Sequence, residues 1–231
     1  MSRFTRTVLC AAALVVCLAA LPLVSTGQEV TFDSQGRPIV TVPPGSSTPS
    51  PYVVKPDSAI PEGTVTIYSN FGSGSSYECC SVYGEFGLNT KFGPATQAMA
   101  FRPTKGTYLL TRLDLATTLI FGTNGYTLEL RDDERGVPGG KLASWKVTGL
   151  PEVGSTSNTV QTVKVHGLII LLKGRRYWLV PKVNSDEWAG WNLNTVSAPG
   201  WIASSSDGGA TWTTGAVDTN GAFDVLGRKL F

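Results

Sequence analysis

Cys79 and Cys80 stand side by side in "SSYECCSVYG" (residues 75–84), and the other two cysteines, Cys10 and Cys17, lie far away near the N-terminus. Adjacent thiols leave three chemistries open: a vicinal disulfide, two reduced thiols, or a link to another chain. Neighbouring Cα atoms across a trans peptide are about 3.8 Å apart, whereas ordinary disulfides span about 4.4–6.8 Å. A vicinal bond therefore needs a distorted turn, because a regular strand sends successive side chains to opposite faces. The glycine- and serine-rich surroundings suit a loop, and Cys79–Cys80 is the disulfide to expect in an oxidising compartment. The pair lacks C-x-x-C redox spacing, and two sulfurs make a poor zinc site.

Other reactive side chains are sparse. His166 is the single histidine, flanks an apolar strand pattern and reads as a surface residue. No metal-ligand motif, H-E-x-x-H run or Ser-His-Asp arrangement is present. Carboxylates gather in turns, with Asp132, Asp133 and Glu134 in one and Asp186 and Glu187 in another. Paired carboxylates can hydrolyse glycosides when properly separated, but no E-x-D-x-E strand occurs. The turn at 132–134 is either solvated or holds a structural Ca²⁺; no other metal and no cofactor is expected.

Six tryptophans fall between 145 and 212. Trp145 and Trp178 lie in strand patterns and belong to a core. Trp188 and Trp191 in "SDEWAGWNLN" have polar company, including Asn192 and Asn194. Aromatic rings beside amides are what a sugar requires, since a pyranose offers an apolar face and a rim of hydroxyls. These four residues are the ligand-binding candidates; alternatively the rings close one end of the fold.

The elements that must position these residues are strands. They are read at 64–71, 95–101, 107–116, 126–130, 142–148, 159–165, 168–172, 176–183, 201–205 and 222–227. Turns rich in Gly, Asn, Asp and Pro join them. In 107–116, Leu109, Thr111, Leu113 and Leu115 share one face. No stretch carries a capped 3.6-residue period. The expected class is all-β, an antiparallel, jelly-roll-like β-sandwich over residues 64–231.

The ends read differently. Arg3 and Arg6, the apolar run "VLCAAALVVCLAALPLV", and the small residues Ser25 and Gly27 form a signal peptide over residues 1–27, with a membrane anchor as the alternative. Without Arg3 and Arg6, 17 of the 19 basic residues face 17 acids, a formally neutral chain. That argues against nucleic acid and, after signal removal, against membranes as partners. Seven of the 14 prolines fall in residues 28–63, which reads as a linker, with a short hairpin in "VTFDSQGRPIVTV" as the lesser alternative for its first part.

The phrases "TIYSNFG", "AMAFRPTKGTYLLTRLDLA", "GTNGYTLELRDDERGVPGGKLASWKVTGLP", "KGRRYWLVPKV" and "DEWAGWNLN…SSSDGGATW" follow in an order that resembles the choice-of-anchor R domain. The resemblance covers about residues 64–227 and implies an exported bacterial β-sandwich without an established activity. After "AFDVLG" only "RKLF" follows, without a sorting motif, so a free secreted or periplasmic protein is expected over a surface-anchored one. Locally, Ser205, Asp207, Gly209, Thr211 and Trp212 resemble the Asp-box, S-x-D-x-G-x-T-W. That motif is a structural hairpin turn, remote from chemistry where it is known. The function expected is an exported non-catalytic binding or structural module, with a polysaccharide or another exported protein as partner. The alternative is a secreted glycan hydrolase.

Overall fold

The structure is a computed structural model that describes residues 27–42, 52–53, 62–154, 160–214 and 217–231. Residues 1–26, which carry the signal-peptide reading, and residues 43–51 and 54–61 of the proline-rich stretch lie outside the described residues. Strands follow one another as β1 (Glu29–Phe32), β2 (Pro38–Thr41), β3 (Tyr52–Val53), β4 (Val65–Ser69), β5 (Ser76–Phe86) and β6 (Thr96–Phe101). Next come β7 (Tyr108–Leu115), β8 (Thr117–Phe121), β9 (Gly125–Glu134), β10 (Val137–Thr148), β11 (Gln161–Lys164) and β12 (Ile170–Leu171). The last are β13 (Tyr177–Lys182), β14 (Trp188–Asn194), β15 (Pro199–Ser205), β16 (Val217–Thr219) and β17 (Phe223–Lys229).

They form three packed antiparallel sheets, an all-β sandwich as the strand pattern implies. The first runs β1-β2-β5-β14-β8, with β3 also on β5. The second runs β10-β9-β13-β6-β15-β16, and the third β11-β7-β17-β4, with β12 on β7. Leu113, Leu115, Leu128, Leu130, Met99, Phe223 and Trp191 meet in the main core, so all three sheets contribute. Burying such side chains is the main favourable term in folding.

Several sequence expectations need correction. Residues 28–63 are not wholly a linker. β1 and β2 form a hairpin, with Glu29 opposite Thr41, and β2 joins the first sheet beside β5. Its closing turn explains why: Asp33 Oδ1 accepts the N–H groups of Gln35 and Arg37 (both 2.9 Å), and Gly36 supplies the positive φ. The Arg37 side chain, 1% exposed, then pairs with Asp33 and with Asp218 on β16.

The apolar face of β7 changes along its length. Leu226 faces Arg112 and the next residue, Gly227, faces Leu110, leaving Thr111 as a bulge. A one-residue insertion flips every later side chain. Leu110, not Leu109, therefore joins Leu113 and Leu115 in the core.

The four candidate ligand-binding residues lie on β14 inside the fold. Trp191 and Asn192 are 0% exposed, Asn194 5% and Trp188 6%. β14 runs between β5 and β8 and is covered on both faces, so it lacks the alternation by which a strand is read. The side-chain nitrogens of Trp191, Asn192 and Asn194 each have a structural task, while Asn192 Oδ1 is buried without a partner among the described residues. Trp191 Nε1 donates to Ala222 O (3.0 Å), Asn192 Nδ2 to Glu78 O (2.8 Å), and Asn194 Nδ2 to Ala198 O (3.0 Å) and Asn220 O (2.8 Å). The Trp191 ring meets Phe223 edge-on at 5.7 Å, and a Cβ on Gly221 would overlap it. Trp191→Ala is therefore expected to destabilise the protein by about 3–5 kcal/mol; urea unfolding that gives an unchanged midpoint would contradict this placement.

Candidate functional site

A pocket of about 320 Å³ opens where four pieces of chain converge, a volume in the range of small-molecule sites. The β1–β2 hairpin supplies Phe32, Gln35, Gly36 and Pro38. The end of β5 and the loop after it supply Phe86, Phe92, Pro94 and Ala95. β6 and β15 supply Gln97 and Ser204, and the turn after β15 supplies Ser206, Thr211, Trp212 and Thr213.

One side is aromatic. Phe92, 38% exposed, and Phe32, 57% exposed, meet edge-on at 6.4 Å. Phe92 rests on Phe86 at 5.4 Å and Trp188 at 5.1 Å. Lys91 Nζ lies 4.9 Å from the Phe92 ring centroid and 5.4 Å from that of Trp188. Trp188 thus supports the aromatic wall from behind and does not present a ring to solvent.

The other side is hydrogen-bonding. Gln97 Oε1 accepts from Ser204 Oγ at 2.7 Å, so the amide N–H₂ is what Gln97 can offer a ligand. The Gln97 backbone N–H donates to Glu85 Oε2 at 2.9 Å. Glu85 is fully inside the fold, and burial drives its carboxyl well above the usual range, partly opposed by that hydrogen bond. Nothing in the lining is a carboxylate.

The turn at 205–212 is closed by its own side chains. Asp207 accepts from the N–H groups of Ala210 and Thr211 (both 2.9 Å) and from Thr211 Oγ1 (2.6 Å). Ser205 Oγ donates to Asp207 Oδ1 (2.7 Å) and accepts from Gly209 N–H (2.7 Å). Gly208 and Gly209 take positive φ. Lys182 Nζ donates to Gly208 O from β13, two strands away from β15 in the second sheet. Trp212 packs on the cluster of Ala98, Ala100, Trp178, Val180 and Ala203. These bonds, led by the Thr211 hydroxyl, hold the Asp207 carboxyl far below its ordinary range.

The remaining candidates fall elsewhere. Asp132, Asp133 and Glu134 end β9 and do not form a free turn. Asp132 pairs with Arg175 (3.3 Å) and Asp133 with Arg176 (3.5 Å) and Trp178 Nε1 (2.9 Å), so two of the three carboxyls suggested for Ca²⁺ each pair with an arginine. Asp186 is exposed. Glu187 is buried and accepts from Gly125 N–H (3.2 Å) and Asn184 N–H (3.0 Å). His166 is exposed. A pair that sequence did not reveal is Asp114 with Asp224, opposite one another on β7 and β17. Arg112 binds Asp114 at 2.7 Å, and the Asp224 carboxyl is pushed up to about 6, first by burial; none of the three lines the pocket.

The sulfurs of Cys79 and Cys80 are in close contact. The pair lies within strand β5, not in a loop, but in a broad bulge. Asn192 faces Val82 and Asn194 faces Tyr77, so Leu193 alone stands opposite Glu78, Cys79, Cys80 and Ser81. The extra chain length supplies the distortion that adjacent sulfurs need to meet. The signal was the cysteine dipeptide itself; the bulge that accommodates it depends on β14.

A scan against family models, a search of curated proteins and a search of solved structures find no match to this chain.

Two predictions follow from the carboxyls. Asp207→Ala should lower the melting temperature at pH 7. The Asp207 carboxyl is depressed in the fold, so its contribution is full above its ordinary value of 3.8 and fades as pH falls below it. The gap between variant and wild type should narrow under acid; a gap independent of pH would assign it to something other than the charge. Glu85 has the opposite sign. Its folded carboxyl keeps a proton that the unfolded chain releases near pH 4.5. Stability is therefore full below that pH and declines above it, by up to about 1.4 kcal/mol per pH unit. Glu85→Gln keeps an acceptor for Gln97 N–H, and should melt higher than wild type at pH 7–8 with a flatter slope above pH 4.5. Superimposable pH profiles would refute it.

Proposed function

We propose that this protein is an exported, non-catalytic binding module, and that its site is the pocket between the β1–β2 hairpin and the Asp207 turn. The class of ligand is a neutral carbohydrate. The observation that carries this is the composition of the lining: exposed rings of Phe32 and Phe92 on one side, and the Gln97 amide with the hydroxyls of Ser206, Thr211 and Thr213 on the other. A pyranose needs that combination, since its ring carbons stack on an aromatic face while its hydroxyls exchange hydrogen bonds. Hydrolysis would call for two carboxyl groups about 5–9.5 Å apart beside the bond, and the lining offers rings, amides and hydroxyls instead. Export rests on the leader-like N-terminus and on the resemblance to choice-of-anchor R domains, both readings of the sequence.

The test is a glycan array probed with the full chain, followed by tryptophan-fluorescence titration with the oligosaccharides that score. Aromatic stacking is worth about 0.5–1.5 kcal/mol beyond area burial, so Phe92→Ala should weaken binding about 2- to 10-fold. Leu168→Ala, at an exposed position beside the third sheet, should leave it unchanged. An array without hits, or a Phe92→Ala variant that binds like wild type, would remove this reading.

A further inference from the structure

The bulge on β5 lies where the N-terminal hairpin meets the domain. Along the outer edge of β5, β3 ends its pairing opposite Tyr77, and β2 begins opposite Ser81. Cys79 and Cys80 occupy the gap between them. Val42, the residue after β2, closes that gap: its N–H donates to Cys80 O at 3.0 Å. Its side chain forms one buried cluster with the two cysteines, and Val153 packs against that cluster. Cys79 is 0% and Cys80 5% exposed, so the pair lies inside the fold, where side chains are close-packed in general.

We propose that Cys79 and Cys80 form a reversible vicinal disulfide whose redox state sets the docking of the β1–β2 hairpin, and with it one wall of the pocket. The link to the pocket rests on the function proposed above. Reduction by a dithiol breaks the Cys79–Cys80 S–S bond and forms one S–S bond in the dithiol. Its two electrons and two protons end on the cysteine sulfurs. Bonded sulfurs sit about 2.05 Å apart, whereas unbonded atoms of this kind keep a separation nearer about 3.5–4 Å. The freed side chains must move apart. The relaxed arrangement of a strand turns neighbours to opposite faces, which draws the bulge straight and shifts β5 against β2. Val42 is the group in the way. Its hydrogen bond to Cys80 O and its packing are lost together, and the hairpin that carries Phe32, Gln35 and Gly36 loosens from that end.

The test is hydrogen–deuterium exchange on the full chain before and after dithiothreitol under native conditions, with thiols counted by alkylation and mass spectrometry. The oxidised protein should show no free thiol at Cys79 or Cys80, and the reduced protein two. Reduction should speed exchange in residues 38–42 and 78–82 by about tenfold or more, leave Tyr177–Lys182 unchanged, and reverse on reoxidation. Free thiols in the untreated protein, resistance to reduction, equal exchange in both states, or a rise that extends equally into Tyr177–Lys182 would each overturn the proposal. The readout uses no ligand, so failure of carbohydrate binding and failure of this coupling are read separately.

Discussion

A buried guanidinium ties the N-terminal hairpin to the rest of the molecule. Arg37 reaches back to Asp33 in its own turn at 2.6 Å, across to Asp218 on β16, and lies 5.1 Å from the centre of the Tyr83 ring on β5. A charge withdrawn from water is tolerated only when its partners are all in place. The three elements it touches therefore dock together or not at all. Tyr83 reinforces the arrangement by donating its hydroxyl to Thr219 O at 3.0 Å, and burial pushes that phenol up to about 12. Without this clamp the pocket would lose the wall that holds Phe32 and Gln35, and of the two exposed phenylalanine rings only Phe92 would remain.

The layers are spaced by polar ties as well as by apolar packing. Glu85 on β5 accepts from the backbone of Gln97 on β6, joining the first sheet to the second at the floor of the pocket. Glu187, just before β14, does the same for Gly125 at the start of β9. Both carboxyls pay for their positions in desolvation, and burial raises both above the usual range. What they gain is geometry: each fixes a backbone N–H that would otherwise be buried without an acceptor. The Gln97 side chain is thus oriented from two directions, by Glu85 through its backbone and by Ser204 through its amide oxygen.

The sequence announces the strands built from runs of apolar and β-branched residues. β4, β6, β7 and β13 fall within the segments read, and β9 and β17 overlap theirs. It conceals β5 and β14, which are central and covered on both faces. There Gly, Ser, Asn and Trp sit in a row, and the polar members are satisfied by distant backbone, as with Asn192 and Glu78 O. The same effect hid the site. Trp188 and Trp191 looked like a surface platform by their neighbours, whereas the exposed ring is Phe92, in a loop with no distinguishing composition. The turn at Ser205–Trp212 was legible because its bonds are local; the pocket was not, because it joins residues 32 to 213 through tertiary contacts alone.

The third sheet places the last strand in its centre. β17 lies between β7 and β4, pairing Val225 with both Leu113 and Tyr68. Neither neighbour can complete its ladder until residues 223–229 arrive, more than a hundred positions after β7. Contacts of such long range make a domain fold slowly, on the order of milliseconds to seconds. Until then β4 and β7 hold open edges of the kind that recruit other chains. A nascent or newly released molecule must therefore be kept apart from its copies until its final strand slides into place.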